Sequence, residues 1–253
     1  MQPPSTPTPA NTALSVLKLL ADDTRWKLIG ALRHSDQQAG ELAVQCGLPQ
    51  NLVSYHLGLL RQAGLVQAHR SDADARVFYY GLDLAGLRRA LQQIGAALPL
   101  DSGAPAALPA VAVAFLCTHN SARSQIAEGW LRQLSGGRVA ARSAGVAPTA
   151  LDPLAVQVMA EVGVDIGYQQ AKGLDAIRSE RPAVAVTVCD LARESCAPCL
   201  DAPIQWHWSI PDPARVTEGA ADPRAAYRGA RDELRVRVEG LLAALPDLVD
   251  IPL

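Results

Sequence analysis

The segment Cys117-Thr118-His119-Asn120-Ser121-Ala122-Arg123-Ser124 gathers the residue types that bind and attack a tetrahedral anion. It lies between a short unbroken apolar run, Val111 to Leu116, and a stretch of helical pattern. A cysteine opening such a loop, with arginine six residues on, places a thiol beneath a ring of backbone N–H groups. Together with the helix N-terminus, that ring is a site for an oxyanion. Arg123 adds two parallel hydrogen bonds to the anion, which a lysine could not supply. The same positive surroundings favour the thiolate, and Ser124 is placed to donate a hydrogen bond to it. A lone cysteine at a strand end is more often a buried structural residue, and a lone arginine a surface charge. Here Cys, Asn, Arg and Ser fall together between strand and helix, which favours an anion site with a nucleophile.

A second cluster follows in Val186-Thr187-Val188-Cys189-Asp190-Leu191-Ala192-Arg193-Glu194-Ser195-Cys196-Ala197-Pro198-Cys199. Cys189 ends another apolar run, Ala183 to Val188, and Cys196 comes seven residues later. Hydrolysis of a phosphate ester needs one thiol, whereas a reduction must dispose of two electrons and suits successive thiolate attack. Cys196 and Cys199 have the spacing of a redox pair or of half a zinc site. No second Cys-x-x-Cys or His pair accompanies them, so no metal site is expected. Asp212-Pro213 read alone is a turn, with Pro213 holding Asp212 to extended conformations.

With these residues in view, CTHNSARSQIAEGW resembles the signature of the low-molecular-weight protein tyrosine phosphatase fold, most closely its thioredoxin-coupled arsenate reductase branch. The resemblance implies arsenate as substrate, Cys117 as nucleophile, and Thr118, His119, Asn120, Ser121, Ala122 and Arg123 as the oxyanion cradle. His119 stands where that pattern often has glycine. It further implies that Ser124 supports the thiolate and that Asp212 is the general acid for the departing oxygen. Cys189 would attack the Cys117–arsenic adduct and release arsenite. Cys196 would then take over the disulfide, which thioredoxin reduces. No bound cofactor is implied, but Asn120, Glu128 and Ser143 match residues of a potassium site whose fourth member, an aspartate, is Lys172 here. A lysine ammonium in the cation's place would make the protein potassium-independent. Two alternatives stay open: a protein tyrosine phosphatase, and a non-enzymatic oxyanion-responsive repressor.

The elements that must hold these residues set two domains. The chain has 253 residues and a net charge of −2, and neither half is strongly basic: residues 1 to 108 hold nine Lys/Arg against eight Asp/Glu, residues 109 to 253 fourteen against seventeen. DNA binding would therefore rest on a local patch. Residues 1–11 read as disordered and not as a signal peptide, and no apolar run is long enough for a membrane span, so a cytoplasmic location and no membrane partner are expected. The Pro- and Ala-rich stretch 99–109 reads as a linker. After it, apolar runs at Val111–Leu116 and Ala183–Val188 alternate with helical patterns at Leu154–Val162 and Asp232–Leu245, giving for 110–253 an α/β doubly wound domain with a central parallel sheet. In that fold ligands bind beyond the carboxyl ends of strands, where Cys117 falls.

Residues 12–98 read as an α+β winged helix-turn-helix domain. Apolar residues recur at helical spacing in Leu14, Leu17 and Leu20, in Trp26, Ile29 and Leu32, and in Leu52, Tyr55 and Leu59. Gly47, Pro49 and Gly64 punctuate the helices. Leu65 to Leu82 reads as a β-hairpin around Ser71-Asp72-Ala73-Asp74, the wing, and Leu84–Leu98 as a last helix whose Leu84, Leu87, Leu91 and Ile94 form a dimer seam. The runs LADDTRWKLIGAL and ELAVQCGLPQNLVSYHLGLLRQAGLV resemble the ArsR/SmtB family of repressors, which implies a homodimer on operator DNA. Pro49 to Ala63 would be the recognition helix, with Gln50, Asn51, Ser54 and His56 facing the major groove and Arg61, Arg70 and Arg76 meeting phosphates. Metalloid-responsive members often carry a Cys-x-Cys pair near Glu41-Leu42-Ala43-Val44-Gln45-Cys46. Only Cys46 is present, so that sensor is lost and Cys46 reads as a small core residue.

Overall fold

The computed structural model describes residues 9–97, 108–195, 200–216 and 222–249. These sort into two compact units, the first containing residues 9–68 and 78–97, the second residues 69–77 and the described residues from 108 onward. The expected linker 99–109 falls mostly outside the described residues, as do Cys196 and Cys199.

The first unit carries α1 (Pro9–Leu20), α2 (Asp23–Ala31), α3 (Ala39–Cys46) and α4 (Gln50–Gln62), then the paired strands β1 (Val66–Arg70) and β2 (Phe78–Leu82), and α5 (Leu84–Ala97). Residues 9–11, expected to be irregular, are helical. Local chemistry explains the joints. Asp22 caps α2 by accepting from the Arg25 amide at 3.0 Å, and a capping box of Gln38 and Glu41 starts α3. Gly47 closes α3 in the left-handed region at φ 64°, which a side chain would strain, and Pro49 starts α4. Leu28, Leu42, Val53, Leu57 and Leu60 make the core. Trp26 and Tyr55, which share helical spacing with core residues, instead face solvent, each 62% exposed. The turn of the hairpin departs from expectation too, because His69–Val77 groups with the second unit.

The second unit is built on β3 (Ala112–Cys117), β4 (Ala140–Gly145), β5 (Val184–Thr187) and β6 (Ile204–His207), all parallel in the order β4-β3-β5-β6. Around them lie α6 (Arg123–Ser135), α7 (Pro153–Ala160), α8 (Asp175–Arg178), α9 (Asp190–Ser195), α10 (Pro213–Val216) and α11 (Pro223–Val249). β4 and β6 have no counterpart in the apolar runs of the sequence. Side chains alternate across β3: Val113 and Phe115 join Ile126, Trp130, Leu234 and Leu241 on one face, while Ala114 and Leu116 meet Ile177, Ala185 and Leu200 on the other. Both faces are covered, as a parallel sheet requires. The chain moves from β3 to β4 in one direction and to β5 in the other. The crevice between the ends of β3 and β5 is therefore the topological switch point at which such sheets bind ligands.

Candidate active site

Cys117 is the last residue of β3, and the loop after it is shaped from outside. The carbonyls of Cys117, Thr118, His119 and Ser121 accept from the amides of Val146 (3.1 Å), Ala147 (2.8 Å), Thr149 (3.0 Å) and Asp152 (3.0 Å). Tying the carbonyls to this flank leaves the intervening N–H groups on the loop's concave side. Asn120 takes φ 49°, a conformation asparagine tolerates better than most residues, and its N–H donates to Cys117 Sγ at 3.1 Å. The N-cap residue of α6, Ala122, supplies no side-chain cap, so the first-turn amides of that helix are open to a ligand.

The thiol has a second partner. Ser124 Oγ lies 2.9 Å from Cys117 Sγ. Asn120 Nδ2 donates to Ser124 Oγ at 2.9 Å and to Ser143 Oγ at 2.8 Å, so the Ser124 oxygen is used as an acceptor and its proton is directed at sulfur. Ser143 Oγ in turn donates to Glu128 Oε2, and Lys172 Nζ sits 3.3 Å from that same oxygen. Lys172 also donates its backbone N–H to Asn120 Oδ1 at 2.8 Å, and Gln125 Nε2 donates to the Asn120 carbonyl at 3.0 Å. Gln125 and Gly145 carry no chemical signal in the sequence, yet both shape the loop. A Cβ on Gly145 would stand 2.8 Å from the Asn120 nitrogen and from the Thr118 oxygen.

Arg123 is nearly enclosed, its side chain 9% exposed. Nη1 donates to the Ile210 carbonyl at 2.8 Å and to Asp72 Oδ2 at 3.2 Å, and Nη2 donates to Asp212 Oδ2 at 3.0 Å. Asp212 Oδ1 accepts from the Ala214 amide at 3.1 Å, so this carboxylate both starts the turn and faces the guanidinium. A free thiol, an uncapped helix start and a fixed guanidinium thus come from one eight-residue segment, Cys117 to Ser124.

Residues 112–249, more than half of the chain, match the family described as low molecular weight phosphotyrosine protein phosphatase. The chain belongs to that family. Residues 20–67 match a helix-turn-helix domain, so the protein joins that domain to a low-molecular-weight phosphatase domain. Over 125 residues, 49% of this chain, it is 37% identical to an arsenate reductase of Bacillus subtilis (strain 168) and spans 90% of that protein. An arsenate reductase of Halalkalibacterium halodurans is 34% identical over 125 residues, with the same shares covered. A solved structure described as an arsenate reductase in the phosphate binding state is 29% identical, covers 53% of this chain and 98% of its own, and has a TM-score of 0.45.

In the phosphatase domain the second thiol lies beside the loop. Cys189 follows β5, one strand over from Cys117, and the Val188 amide donates to the Leu116 carbonyl at 2.7 Å. Cys189 Sγ is 3.4 Å from Thr118 Oγ1 and 3.4 Å from the Ala192 amide, and its thiol is free and fully buried. Burial pushes that thiol up from its usual pKa, with the Arg123 charge opposing and Cys117 adding to the rise. Behind it, His207 Nε2 donates to Asp190 Oδ1 at 3.1 Å and His207 Nδ1 lies 2.9 Å from Thr187 Oγ1. Burial works against the Asp190 charge, but His207 and the amide of Asp72 hold its carboxyl below the usual range. Sequence reasoning missed this pair, whose members stand 17 residues apart and meet only through the β5–β6 pairing.

In the first unit the assigned DNA-contacting residues divide. Gln50, Asn51, Ser54 and Arg61 lie exposed on α4. His56 does not: it is buried, its Nδ1 3.8 Å from Asp22, because it follows the helix face of Val53, Leu57 and Leu60. Arg70 and Arg76 fall in the segment that groups with the second unit, and the Arg76 guanidinium is held by Asp74 at 2.8 Å. Cys46 is half-buried against the first core, and burial pushes its thiol up.

Proposed function

We propose that this chain is a bifunctional protein, reducing arsenate to arsenite by a three-cysteine relay coupled to thioredoxin and regulating transcription through its helix-turn-helix domain. One observation carries the enzymatic reading: a second free thiol, Cys189, sits against the oxyanion loop that Cys117 opens. A phosphatase has no use for it. The likeness to arsenate reductases supplies the substrate class.

In the proposed sequence the Cys117 thiolate forms a sulfur–arsenic bond and displaces one arsenate oxygen, which leaves as water with a proton from Asp212. Arg123 and the loop amides hold the remaining oxygens. The Cys189 thiolate then attacks Cys117 sulfur, the sulfur–arsenic bond breaks, and its electron pair leaves with arsenic as arsenite. Arsenic gains two electrons, and the two thiolates become a Cys117–Cys189 disulfide. Attack by Cys196 frees Cys117 and passes the disulfide to Cys189–Cys196, which thioredoxin reduces. Serine substitution of Cys117, Cys189 and Cys196 singly, with arsenite release followed in the presence of thioredoxin and its reductase, tests this. Each variant should lose multiple turnover; turnover that survives loss of Cys189 overturns the relay. Hydrolysis of p-nitrophenyl phosphate at rates comparable to arsenate reduction would favour the phosphatase instead.

Potassium does not fit this protein. The Glu128 oxygen that would face a cation already faces the Lys172 ammonium, and a second cation beside it would be repelled. No step is assigned to a bound ion.

For the regulatory half, Gln50, Asn51 and Ser54 form the exposed start of α4 and would read bases, with Arg61 on a phosphate. Of the expected seam Leu84 and Leu87 pack against the first core and Ile94 is buried, so only Leu91 stays exposed; with Leu14 and Leu17 on α1, which packs against α5, it would be covered in a homodimer. An operator mobility shift that survives joint replacement of Gln50, Asn51 and Ser54 by alanine would refute the assignment. A cytoplasmic location follows for a protein whose partners are thioredoxin and DNA.

A further inference from the structure

The β1–β2 turn delivers a carboxylate to the anion clamp. Asp72 Oδ2 is 3.2 Å from Arg123 Nη1, on the guanidinium that a tetrahedral anion would need. The turn is fastened there by more than this pair. Ser71 Oγ donates to Glu194 Oε1 at 2.7 Å, the Asp72 amide donates to Asp190 Oδ2 at 3.1 Å, and Arg215 Nη1 donates to the Asp72 carbonyl at 2.9 Å. Glu194 belongs to α9, the helix that begins after Cys189. Burial pushes the Asp72 carboxyl up from the usual range, Asp190 and Asp212 add to that, and Arg123 is the group that favours its charge.

We propose that Asp72 is a built-in ligand of the oxyanion site, so that a tetrahedral dianion and the Asp72 carboxylate compete for Arg123 and binding of the anion releases the β1–β2 turn. Arg123 gives both Nη1 hydrogens to the Ile210 carbonyl and Asp72 and one Nη2 hydrogen to Asp212, so a dianion held by the remaining Nε and Nη2 hydrogens shares one guanidinium charge with both carboxylates. Like charges at such separations repel strongly in a nearly enclosed site. The affinity of the site for oxyanion is thereby set lower than the loop alone would give. Since residues 69–77 join β1 to β2 along the chain, oxyanion occupancy also decides whether that turn is held or free. This inference rests on the reading of the Cys117 loop as an oxyanion site.

Calorimetric titration of the full chain with inorganic phosphate tests it, comparing wild type with Asp72→Asn, Asp72→Ala and, as a control, Asp74→Asn. Removing a competing charged hydrogen bond should tighten phosphate binding about tenfold or more in both Asp72 variants. The control should match wild type. Equal affinity in wild type and the Asp72 variants overturns the competition while leaving the anion site intact, whereas no phosphate binding by any of them removes the anion site and the inference together. Hydrogen exchange of the wild-type chain gives a readout that needs no substitution. Saturating phosphate should speed exchange at the Asp72 amide, and unchanged exchange would equally overturn the proposal.

Discussion

Thr118 Oγ1 and Cys189 Sγ lie 3.4 Å apart, so the second thiol meets the oxyanion loop at the residue beside Cys117. Adjacent parallel strands produce this closeness, since neighbouring strands run about 4.8 Å apart and both cysteines leave their strands at the same end. The burial that brings Cys189 close also keeps it protonated. Its thiol is pushed above the ordinary value of about 8.5, so the neutral form dominates at neutral pH until an oxidised or arsenic-bearing partner is in place. Alkylation of Cys189 by iodoacetamide, followed by mass spectrometry, should therefore rise with pH through a midpoint above that value. A midpoint at or below it would show that Arg123 outweighs burial.

Gly145 ends β4 directly beside Cys117, in register with it. A methyl group there would press on two backbone atoms of the loop, neither of which is the end of a flexible side chain. Gly145→Ala should destabilise the phosphatase domain by about 1–3 kcal/mol and cost oxyanion affinity beyond what that loss of stability explains. Urea unfolding and phosphate titration, run on the same variant, separate the two effects. Wild-type phosphate affinity in the alanine variant would mean that the loop has room to shift.

Much of this architecture is legible in sequence because it depends on local signals. The apolar runs before Cys117 and Cys189 are strands β3 and β5, and the turn residues Gly47, Pro49 and Gly64 bound α3 and α4 as their chemistry dictates. The strands that escaped notice lack that signature: β4 reads Ala-Ala-Arg-Ser-Ala-Gly and β6 Ile-Gln-Trp-His, with too few apolar residues in a row. The anion loop was legible for the opposite reason, since Cys117, Asn120, Arg123 and Ser124 sit within eight residues. His56 was misplaced because polarity suggested the groove, whereas its helical position turns it inward beside Val53 and Leu57. Asp72, Asp190 and His207 could not be found at all. Their roles come from contacts across 51, 118 and 17 positions of chain, a distance over which spacing carries no information.

Lys172 supplies the positive charge beside Glu128, so the loop should be assembled without an added cation. Arsenate reduction by the wild-type chain should be the same within about twofold in potassium and choline salts of equal ionic strength, because a difference that small is under 0.5 kcal/mol. Lys172→Ala leaves Arg132 on the other Glu128 oxygen at 2.6 Å and Ser143 on Oε2, but removes the cation beside Oε2. That variant should lose activity several-fold and recover part of it with potassium alone. Stimulation of the wild type by potassium would show that the ammonium does not replace the ion.

The Asp190–His207 pair makes stability depend on acid in a definite direction. Asp190 has a folded pKa below its unfolded value, near 3.9 for a free aspartate, so its charge stabilises the fold above that value. The contribution is lost as pH falls through the lower, folded value. His207→Leu removes one donor and leaves the buried carboxylate with the Asp72 amide, at a cost of about 1–3 kcal/mol at neutral pH. In acid Asp190 becomes neutral in both proteins, and the stability gap between them should close. Urea unfolding of wild type and variant at a series of pH values from neutral to below 3.9 measures this. A gap of constant size across the series would mean that His207 acts through its packing against the sheet and not through the Asp190 charge.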